Sequence, residues 1–235
     1  MSVWAARRFW TTARTVPTEG GFAVELDARP VRTPRKAPLI LPTAALAEAV
    51  AAEWQAQGDK VDPTTMPCTR TANSAIDTVT PQFDLVAQMV AEYGASDLLC
   101  YRAEEPSDLI ELQAREWTPL LDWAAESLGA GLRTTGGIVH VAQNPESLSV
   151  LTGHVRALTP FELAAFHDLV AISGSLILAL ALRHERITAD DAWRLSRLDE
   201  DWQISLWGED EEAAEVARGK RAGFLQADRF CRLCG

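Results

Sequence analysis

Hydrophobic residues recur with helical spacing between residues 190 and 216, in the segment DDAWRLSRLDEDWQISLWGEDEEAAEV. Intervals of three and four residues are typical of an amphipathic helix that packs one face on a core. The apolar face of this predicted helix consists of Leu195, Leu198, Trp202 and Leu206. A second stripe, about a third of a turn away, contains Trp193, Ser196, Glu200, Gln203 and Trp207. This second face sets one carboxylate and one amide between two indoles.

Two interpretations of the second stripe are open at this point. Large apolar side chains are mostly buried, which favours a core role for both indoles. Indole rings also anchor many protein contacts, because they combine an apolar body with a hydrogen-bond donor. Gly208 interrupts the pattern, and the acids Glu209–Glu212 then suit the N-terminus of a further helix. Taken alone, these acids indicate a solvated helix start.

Short strands are predicted near the N-terminus. Residues Phe22–Leu26 alternate apolar and polar side chains, as a half-buried strand does. Residues Asp27–Pro30 read as a turn and Val31–Thr33 as a short strand. Flanking prolines confine Leu39–Leu41 to an edge strand or an extended link.

A helix follows these strands. Thr43 suits its N-cap, the helix covers Ala44–Gln57, and Gly58 is expected to close it. Strands and helix together predict a small N-terminal mixed α/β domain with antiparallel strands, residues 1–78.

The remainder of the chain is predicted to be helical. Helical spacing covers Phe83–Tyr93 and Leu109–Leu128, and Gly136–Val141 allows one short strand or extended segment. The most apolar segment is Phe161–Leu182, and a helix that is apolar all round is a buried one. We therefore predict an α+β fold class, in which residues 79–235 form a C-terminal all-helical orthogonal bundle around a buried central helix.

Membrane insertion is not expected for this apolar segment. Its core, Leu169–Leu182, is shorter than the about 20 residues that a spanning helix needs. Extending it upstream brings in Glu162, His167 and Asp168, which lipid-exposed helices rarely tolerate. Thr188 then suits the N-cap of the helix that carries the two stripes.

The charge distribution narrows the class of partner. A formal net charge of −11 argues against nucleic acid, because phosphate binding needs clustered Lys and Arg. Asp199–Glu215 contains eight acids and no bases, whereas Met1–Lys36 contains seven bases and three acids. The composition, 47% hydrophobic and 23% charged, is that of an ordinary soluble globular protein.

Motifs for catalysis or cofactor binding are weak. Cys231 and Cys234 form a CxxC at the end of the chain, without the βαβ setting of a redox site or the further ligands of a zinc site. Cys68 and Cys100 are most simply small buried hydrophobes. The four histidines are scattered, and no HExxH, GxSxG, Walker A or GxGxxG run is present. We therefore expect no cofactor, no metal and no catalysis.

Several runs resemble one family in order along the chain. The runs Ser196–Gln203 and Trp207–Ala213 resemble the signature of the assembly chaperones for the α subunit of the ATP synthase F1 head, found in mitochondria and alphaproteobacteria. Further similar runs are Leu26–Pro34, Glu53–Gln55, Met66–Pro67, Asn73–Asp77, Ser96–Ala103 and Gln113–Trp123. The chain departs from the family at Ala28, where Gly is usual, and at Thr118, where Asp is usual. The resemblance extends from Arg8 to about Ala214.

The resemblance implies a dedicated chaperone that binds the free α subunit and shields its β-facing interface until the β subunit displaces it. It implies no nucleotide and no metal, and we expect the free protein to be monomeric. The predicted partner-binding residues are Glu200, Gln203, Trp207, Glu209, Asp210, Trp193 and Trp54. For Trp54, a packing role between helix and sheet is as plausible as a contact role.

Two other classes of function stay open. One is a small-molecule enzyme that uses carboxylates such as Glu200 and Asp168 in acid–base chemistry, which would require a ligand-sized pocket. The other is a membrane-surface scaffold that uses the basic N-terminus, although its bases are not arranged along one helical face.

The compartment follows from the N-terminus. Residues 1–18 are rich in Arg and hydroxyl side chains, as a mitochondrial presequence is. Because Arg7–Trp10 resembles the start of the mature family domain, we interpret it as structural. We expect a bacterial cytoplasm, or the mitochondrial matrix if the source is eukaryotic.

Overall fold

The computed structural model describes residues 7–235, and it divides them into two compact units. The first unit contains residues 7–83 with the short segments 159–165 and 228–235. The second contains residues 84–158 and 166–227. The predicted α+β class is confirmed, since N-terminal strands form an antiparallel sheet and most of the following chain is helical.

The sheet of the first unit is centred on one long strand. Its strands are β1 (Ala13–Thr18), β2 (Gly21–Leu26), β3 (Arg29–Pro30) and β4 (Ile40–Leu41). Strand β2 pairs antiparallel with β1 along its whole length, and its other edge pairs with β3 and then β4. Within β2, Val24 and Leu26 are buried and Glu25 is not, which is the alternation that predicted this strand.

One detail of the predicted strands is wrong. The strand expected at Val31–Thr33 is replaced by the ladder at β3, and beyond it only a single bridge joins Arg32 to Pro38. The chain turns back early there because Lys36 adopts a positive φ of 67°. In the turn between β2 and β3, the positive φ lies at Asp27 (55°), so Ala28 is not the residue that needs glycine-like freedom.

The first two helices are α1 (Ala44–Gln55) and α2 (Pro67–Ser74). Thr43 caps α1 as predicted, since its hydroxyl accepts a hydrogen bond from the Leu46 amide at 3.1 Å. The helix ends before the predicted Gln57, and Ala56 rather than Gly58 forms the C-cap. The Gln57 side chain instead turns back and donates to the Glu53 carbonyl at 3.0 Å.

The family-like run Glu53–Gln55 ties elements of the first unit together. The Glu53 carboxylate accepts hydrogen bonds from the Cys68 and Thr69 amides at 2.6 and 2.8 Å, which caps the N-terminus of α2. The Gln55 amide oxygen accepts from the Ala13 amide at 2.7 Å and so holds the start of β1. These roles are structural.

The later helices follow in chain order. They are α3 (Phe83–Ala91), α4 (Ser107–Leu128), α5 (Pro145–Arg156), α6 (Pro160–Ser173), α7 (Leu176–Arg183), α8 (Ala189–Ser196), α9 (Leu198–Trp207) and α10 (Glu211–Cys234). Two short strands, β5 (Tyr101–Arg102) and β6 (Thr135–Gly136), pair in parallel within the second unit. Strand β6 overlaps the expected extended segment Gly136–Val141 only at Gly136, and β5 was not predicted. Among the described helices, none is both long enough and apolar enough to cross a membrane.

The apolar segment Phe161–Leu182 was predicted as one helix, and this prediction is wrong. Helix α6 ends at Ser173, Gly174 adopts a left-handed φ of 71°, and Ser175 caps α7 by accepting from the Leu178 amide at 3.0 Å. All residues from Leu176 to Leu182 are buried. Helix α7 is therefore the buried central helix of the second unit.

Candidate functional site

Helices α8, α9 and α10 line a surface groove of about 800 Å³. Gly208, with a φ of 86°, ends α9 and turns the chain towards α10. Six of the seven residues predicted to bind a partner line this groove: Trp193, Glu200, Gln203, Trp207, Glu209 and Asp210. Apart from Ser196, which is buried, the residues of the sequence stripe therefore share one concave surface.

The predicted single helix over this region is in fact two helices. Arg197 leaves helical geometry with a φ of −114°, and α9 begins at the next residue. The predicted burial of the apolar stripe is correct for the two residues beside this break, Leu195 and Leu198. Further along α9, Leu206 is 56% exposed, because the break rotates α9 away from the core-facing direction of α8. In the second half of the apolar stripe, Trp202 is therefore half-buried and Leu206 is exposed.

The two indoles of the second stripe differ in environment. Trp193 is half-buried, packs against the Phe224 ring at 6.1 Å and lies beneath the Arg197 guanidinium at 5.7 Å. Trp207 is 79% exposed. The core interpretation thus fits Trp193 in part, whereas Trp207 presents its ring to solvent.

The acidic residues after Gly208 have separate roles. Asp210 is the N-cap of α10, since its carboxylate accepts a hydrogen bond from the Ala213 amide at 2.8 Å. Glu211 and Glu212 occupy the first turn of α10, where negative charge favours the helix N-terminus. Glu209 precedes them and is exposed. The predicted new helix is therefore confirmed, and it runs to Cys234.

The groove also has basic residues that the sequence reasoning missed. Arg197 lies at the α8–α9 break, and Arg218, Lys220 and Arg221 come from α10. Arg221 pairs with Asp190 at 2.6 Å and Arg218 with Glu215 at 2.5 Å. The sequence signal that could have revealed the basic α10 residues was the continuation of the helix past Ala214, where the family resemblance fades. Acidic α9 residues and basic α10 residues together give the groove a mixed polar rim.

Trp54 lies elsewhere, in the first unit. Its ring packs edge-on against Trp10 with centroids 5.3 Å apart. Its indole nitrogen is buried and has no hydrogen-bond partner within residues 7–235. This position matches the packing interpretation, and a partner-binding role for Trp54 stays a prediction.

Other candidate chemistry is dispersed. His167 and Asp168 form an ion pair at 3.1 Å, and the hydrogen bond that the imidazole donates to this carboxylate raises the pKa of His167. Asp168 does not line the groove that contains Glu200. Cys231 and Cys234 lie in the last turn of α10, where the helix dipole disfavours a thiolate, and the Cys231 Sγ contacts the Glu162 carbonyl at 3.9 Å. The described residues contain no cluster of three or more side chains suited to a metal ion.

Comparison with known proteins identifies the family. The model of the ATP12 chaperone protein family matches residues 7–125, half of the chain. The chain belongs to the ATP12 chaperone family. It is thus a chaperone of ATP synthase assembly, and the predicted family resemblance is confirmed.

Individual ATP12 proteins resemble the chain over most of its length. The mitochondrial protein atp12 of Schizosaccharomyces pombe is 26% identical over 224 residues, which cover 89% of this chain and 76% of the relative. The crystal structure of Atp12 from Paracoccus denitrificans is 52% identical with a TM-score of 0.95, over 98% of this chain and 99% of that one. A point mutant of P. denitrificans Atp12p gives 51% identity and a TM-score of 0.96 over the full length of both chains.

Proposed function

We propose that this ATP12 protein binds the free α subunit of the ATP synthase F1 head and shields its β-facing interface until the β subunit displaces it. The proposed contact is the groove surface formed by Trp193, Glu200, Gln203, Trp207, Glu209 and Asp210. The exposed indole of Trp207 is the observation that carries this proposal, because a family of chaperones needs an apolar surface that is available to a client.

The apolar part of the groove suits an unassembled subunit. A subunit that lacks its partner exposes an apolar interface that is prone to aggregation. Trp207 of α9 and Val216 of α10 are exposed apolar residues that line the groove, and Leu206 is an exposed neighbour of Trp207 outside the lining. These side chains would lose water-exposed apolar area on binding, which supplies the driving force for association.

The polar part of the groove suits release. The acids Glu200 and Glu209 are exposed, and the bases Arg218 and Arg221 already hold internal ion pairs. Exposed charged groups at a rim contribute more to selectivity and association rate than to affinity. A few apolar anchors within such a rim suit a complex of moderate affinity, from which a tighter-binding partner displaces the chaperone.

The alternative of a small-molecule enzyme also has one observation in its favour. The groove volume lies in the range of about 300–1,000 Å³ that is usual for ligand sites. A catalytic site, however, needs converging polar groups in a water-excluding pocket, whereas Glu200, Glu209 and Asp210 are exposed. The groove therefore fits a protein partner better than a small substrate.

The membrane-scaffold alternative loses support from the contacts of the N-terminal bases. Arg8 donates to the backbone carbonyls of Trp10 and Gln55 at 3.0 and 3.1 Å. Arg14 pairs with Glu25 at 2.8 Å, and Arg35 donates to the Asp77 carbonyl at 2.7 Å. These three arginines therefore stabilise the fold of the first unit through internal contacts, which does not favour a role in membrane binding. Of the presequence-like stretch 1–18, residues 1–6 lie outside the described residues.

Compartment and oligomeric state are part of the same proposal. The relative from S. pombe is named as a mitochondrial protein. We infer the bacterial cytoplasm for this chain, or the mitochondrial matrix if its source is eukaryotic, and a monomer in the absence of client.

The test is direct. The cognate α subunit is diluted from denaturant with and without this protein, light scattering is followed, and the products are separated by gel filtration. Suppressed scattering and a co-eluting complex that dissolves when the β subunit is added would support the proposal. Unchanged aggregation and separate elution would overturn it.

A further inference from the structure

Helix α9 has little apolar anchorage of its own. Of its ten residues only Leu198 is buried, and its N-terminus has no side-chain cap. A helix of this length does not hold its orientation by intrinsic propensity alone, because most helical stability comes from packing. The orientation of α9 must therefore depend on contacts at its first turn.

Helix α4 supplies these contacts on both sides of the α8–α9 break. On the α8 side, Glu116 accepts from Arg194 at 2.8 Å, and the buried indole of Trp117 donates to the Leu195 carbonyl at 3.0 Å. On the α9 side, the Gln113 side-chain amide donates to the Asp199 carboxylate at 2.7 Å. The Gln113 contact is the polar link from α4 to the first turn of α9.

Gln113 is itself held rigidly. Its side chain is buried, with only 1% of the residue exposed. Its amide oxygen accepts from the Ala103 amide at 2.8 Å, and its backbone carbonyl accepts from the Arg102 guanidinium at 2.9 Å. Because the amide oxygen is occupied by a backbone donor, the NH₂ group is the part that faces Asp199. The donor direction of Gln113 is thus fixed by Ala103, the residue that follows β5.

We propose that Gln113 is a positioning residue that, through Asp199, sets the orientation of the α9 face with Glu200, Gln203 and Trp207. The consequence for client binding rests on the function proposed above, whereas the consequence for α9 does not. Asp199 immediately precedes Glu200 and lies about one turn before Gln203, so a fixed Asp199 carboxylate fixes the direction of both side chains. Gln113 contacts no client in this proposal.

Exchanging the two functional groups tests the proposal. Gln113→Glu removes the donor and sets two carboxylates against each other, which disfavours the contact. In the double variant Gln113→Glu with Asp199→Asn, the asparagine amide donates to the new glutamate, and the Ala103 amide keeps its acceptor. The double variant has the same net charge as the natural protein, so only the direction of the hydrogen bond is reversed.

Two measurements are made on the full chain. Hydrogen–deuterium exchange reports α9 without any client, and titration with the α subunit reports affinity. We expect Gln113→Glu to speed exchange of the α9 amides about ten-fold, with α7 unchanged, and to weaken client binding about ten-fold. The double variant should restore both. If Gln113→Glu changes neither quantity, or if the double variant stays as impaired as the single one, the positioning role is refuted.

The same measurements distinguish loss of the positioning role from global unfolding of the variant and from a wrong choice of client. If hydrogen exchange in α7 also rises in Gln113→Glu, that variant is globally destabilised, and Asp199→Ala is measured instead. Because Asp199 is only half-buried, its loss should leave the core intact and speed exchange in α9 selectively. Faster exchange confined to α9 upholds the positioning role even when the natural protein fails to bind the α subunit, a result that overturns the proposed function alone.

Discussion

Ser175 Oγ donates a hydrogen bond of 2.8 Å to the fully buried carboxylate of Asp97, and it thereby joins the segment before β5 to the N-terminus of α7. The same carboxylate accepts from the backbone amides of Ile177 at 2.9 Å and Leu99 at 3.0 Å. Helix α7 is the buried centre of the second unit, so this carboxylate holds the unit's core helix by its first turn.

The titration of Asp97 should be visible in stability. Burial raises the pKa of Asp97 to about 6, although the hydrogen bonds from Ile177, Leu99 and Ser175 oppose this effect. Because the native carboxyl binds its proton more tightly than the unfolded one, its contribution to stability is fully present below about pH 4. That contribution is lost as the pH rises through about 6.

We therefore expect the stability of Asp97→Asn relative to the natural protein to increase by about 2 kcal/mol between pH 4 and pH 7. The asparagine cannot ionise, so it does not share the loss. Urea unfolding of both proteins across this range measures the difference. A difference in unfolding free energy that is constant with pH would show that Asp97 titrates as an ordinary exposed carboxyl.

Two glycine substitutions, one at the break between α6 and α7 and one within α5, should have opposite effects on stability. Gly174 has a φ of 71°, and an added Cβ would meet only the Leu98 side chain at 3.9 Å. Gly174→Ala should therefore destabilise through backbone strain, by about 1–2 kcal/mol. Gly153 lies within α5 with open space around it, so Gly153→Ala should stabilise by about 0.5–1 kcal/mol. Urea midpoints that shift in the same direction for both variants would contradict this account.

The unusual Thr118 offers a stabilising change. One terminal nitrogen of the Arg102 guanidinium, Nη2, is buried without a hydrogen-bond partner within residues 7–235, and Nη1 lies 3.4 Å from the Thr118 hydroxyl. Thr118→Asp would supply a longer, charged acceptor and should stabilise by about 1 kcal/mol. Thr118→Asn is the neutral control and should gain less. Equal urea midpoints for the two variants would show that the carboxylate does not reach Arg102.

The sequence predicted correctly those elements that depend on interactions between residues close together in the chain. The alternation in β2 and the caps Thr43 and Thr188 depend on neighbouring residues, and the Thr188 hydroxyl accepts from the Asp191 amide at 3.1 Å as predicted. The break at Arg197 contains neither proline nor glycine. Its two flanking residues, Leu195 and Asp199, are held by Trp117 and Gln113, which are 78 and 86 residues away from them in sequence. A pattern along the chain does not reveal such distant partners.

The candidate site was predictable to a similar degree. The stripe from Trp193 to Trp207 was recognised from helical spacing and from the resemblance, and all of its members except the buried Ser196 line one groove. The basic α10 residues were missed because only the folded chain brings α10 back against α9. The division of Phe161–Leu182 was missed because an apolar segment keeps its burial pattern whether or not Gly174 interrupts it.

Removing the exposed indole of Trp207 should lower the affinity for the client without changing the stability of the protein. Trp207→Ala should weaken binding of the α subunit by about 2 kcal/mol, which is typical of an interface anchor. The melting temperature should be unchanged, because the ring is 79% exposed. Leu85→Ala is a matched control, since Leu85 is another exposed apolar helix residue and does not line the groove. Isothermal titration with both variants separates a specific anchor from general surface hydrophobicity.

Reversal of charge at Glu200 tests the polar part of the proposed contact. Glu200 is exposed on α9 and lines the groove, so Glu200→Lys should leave helicity and melting unchanged while it abolishes protection of the α subunit against aggregation. The expected loss arises from charge reversal at the client surface, where like charges oppose association. Glu126→Lys makes the same charge change at an exposed position of α4 outside the groove and should protect the client normally. If Glu200→Lys unfolds the protein, Glu200 supports the fold and its assignment as a contact residue is wrong. If both variants fail equally while folded, net charge rather than the groove governs client binding.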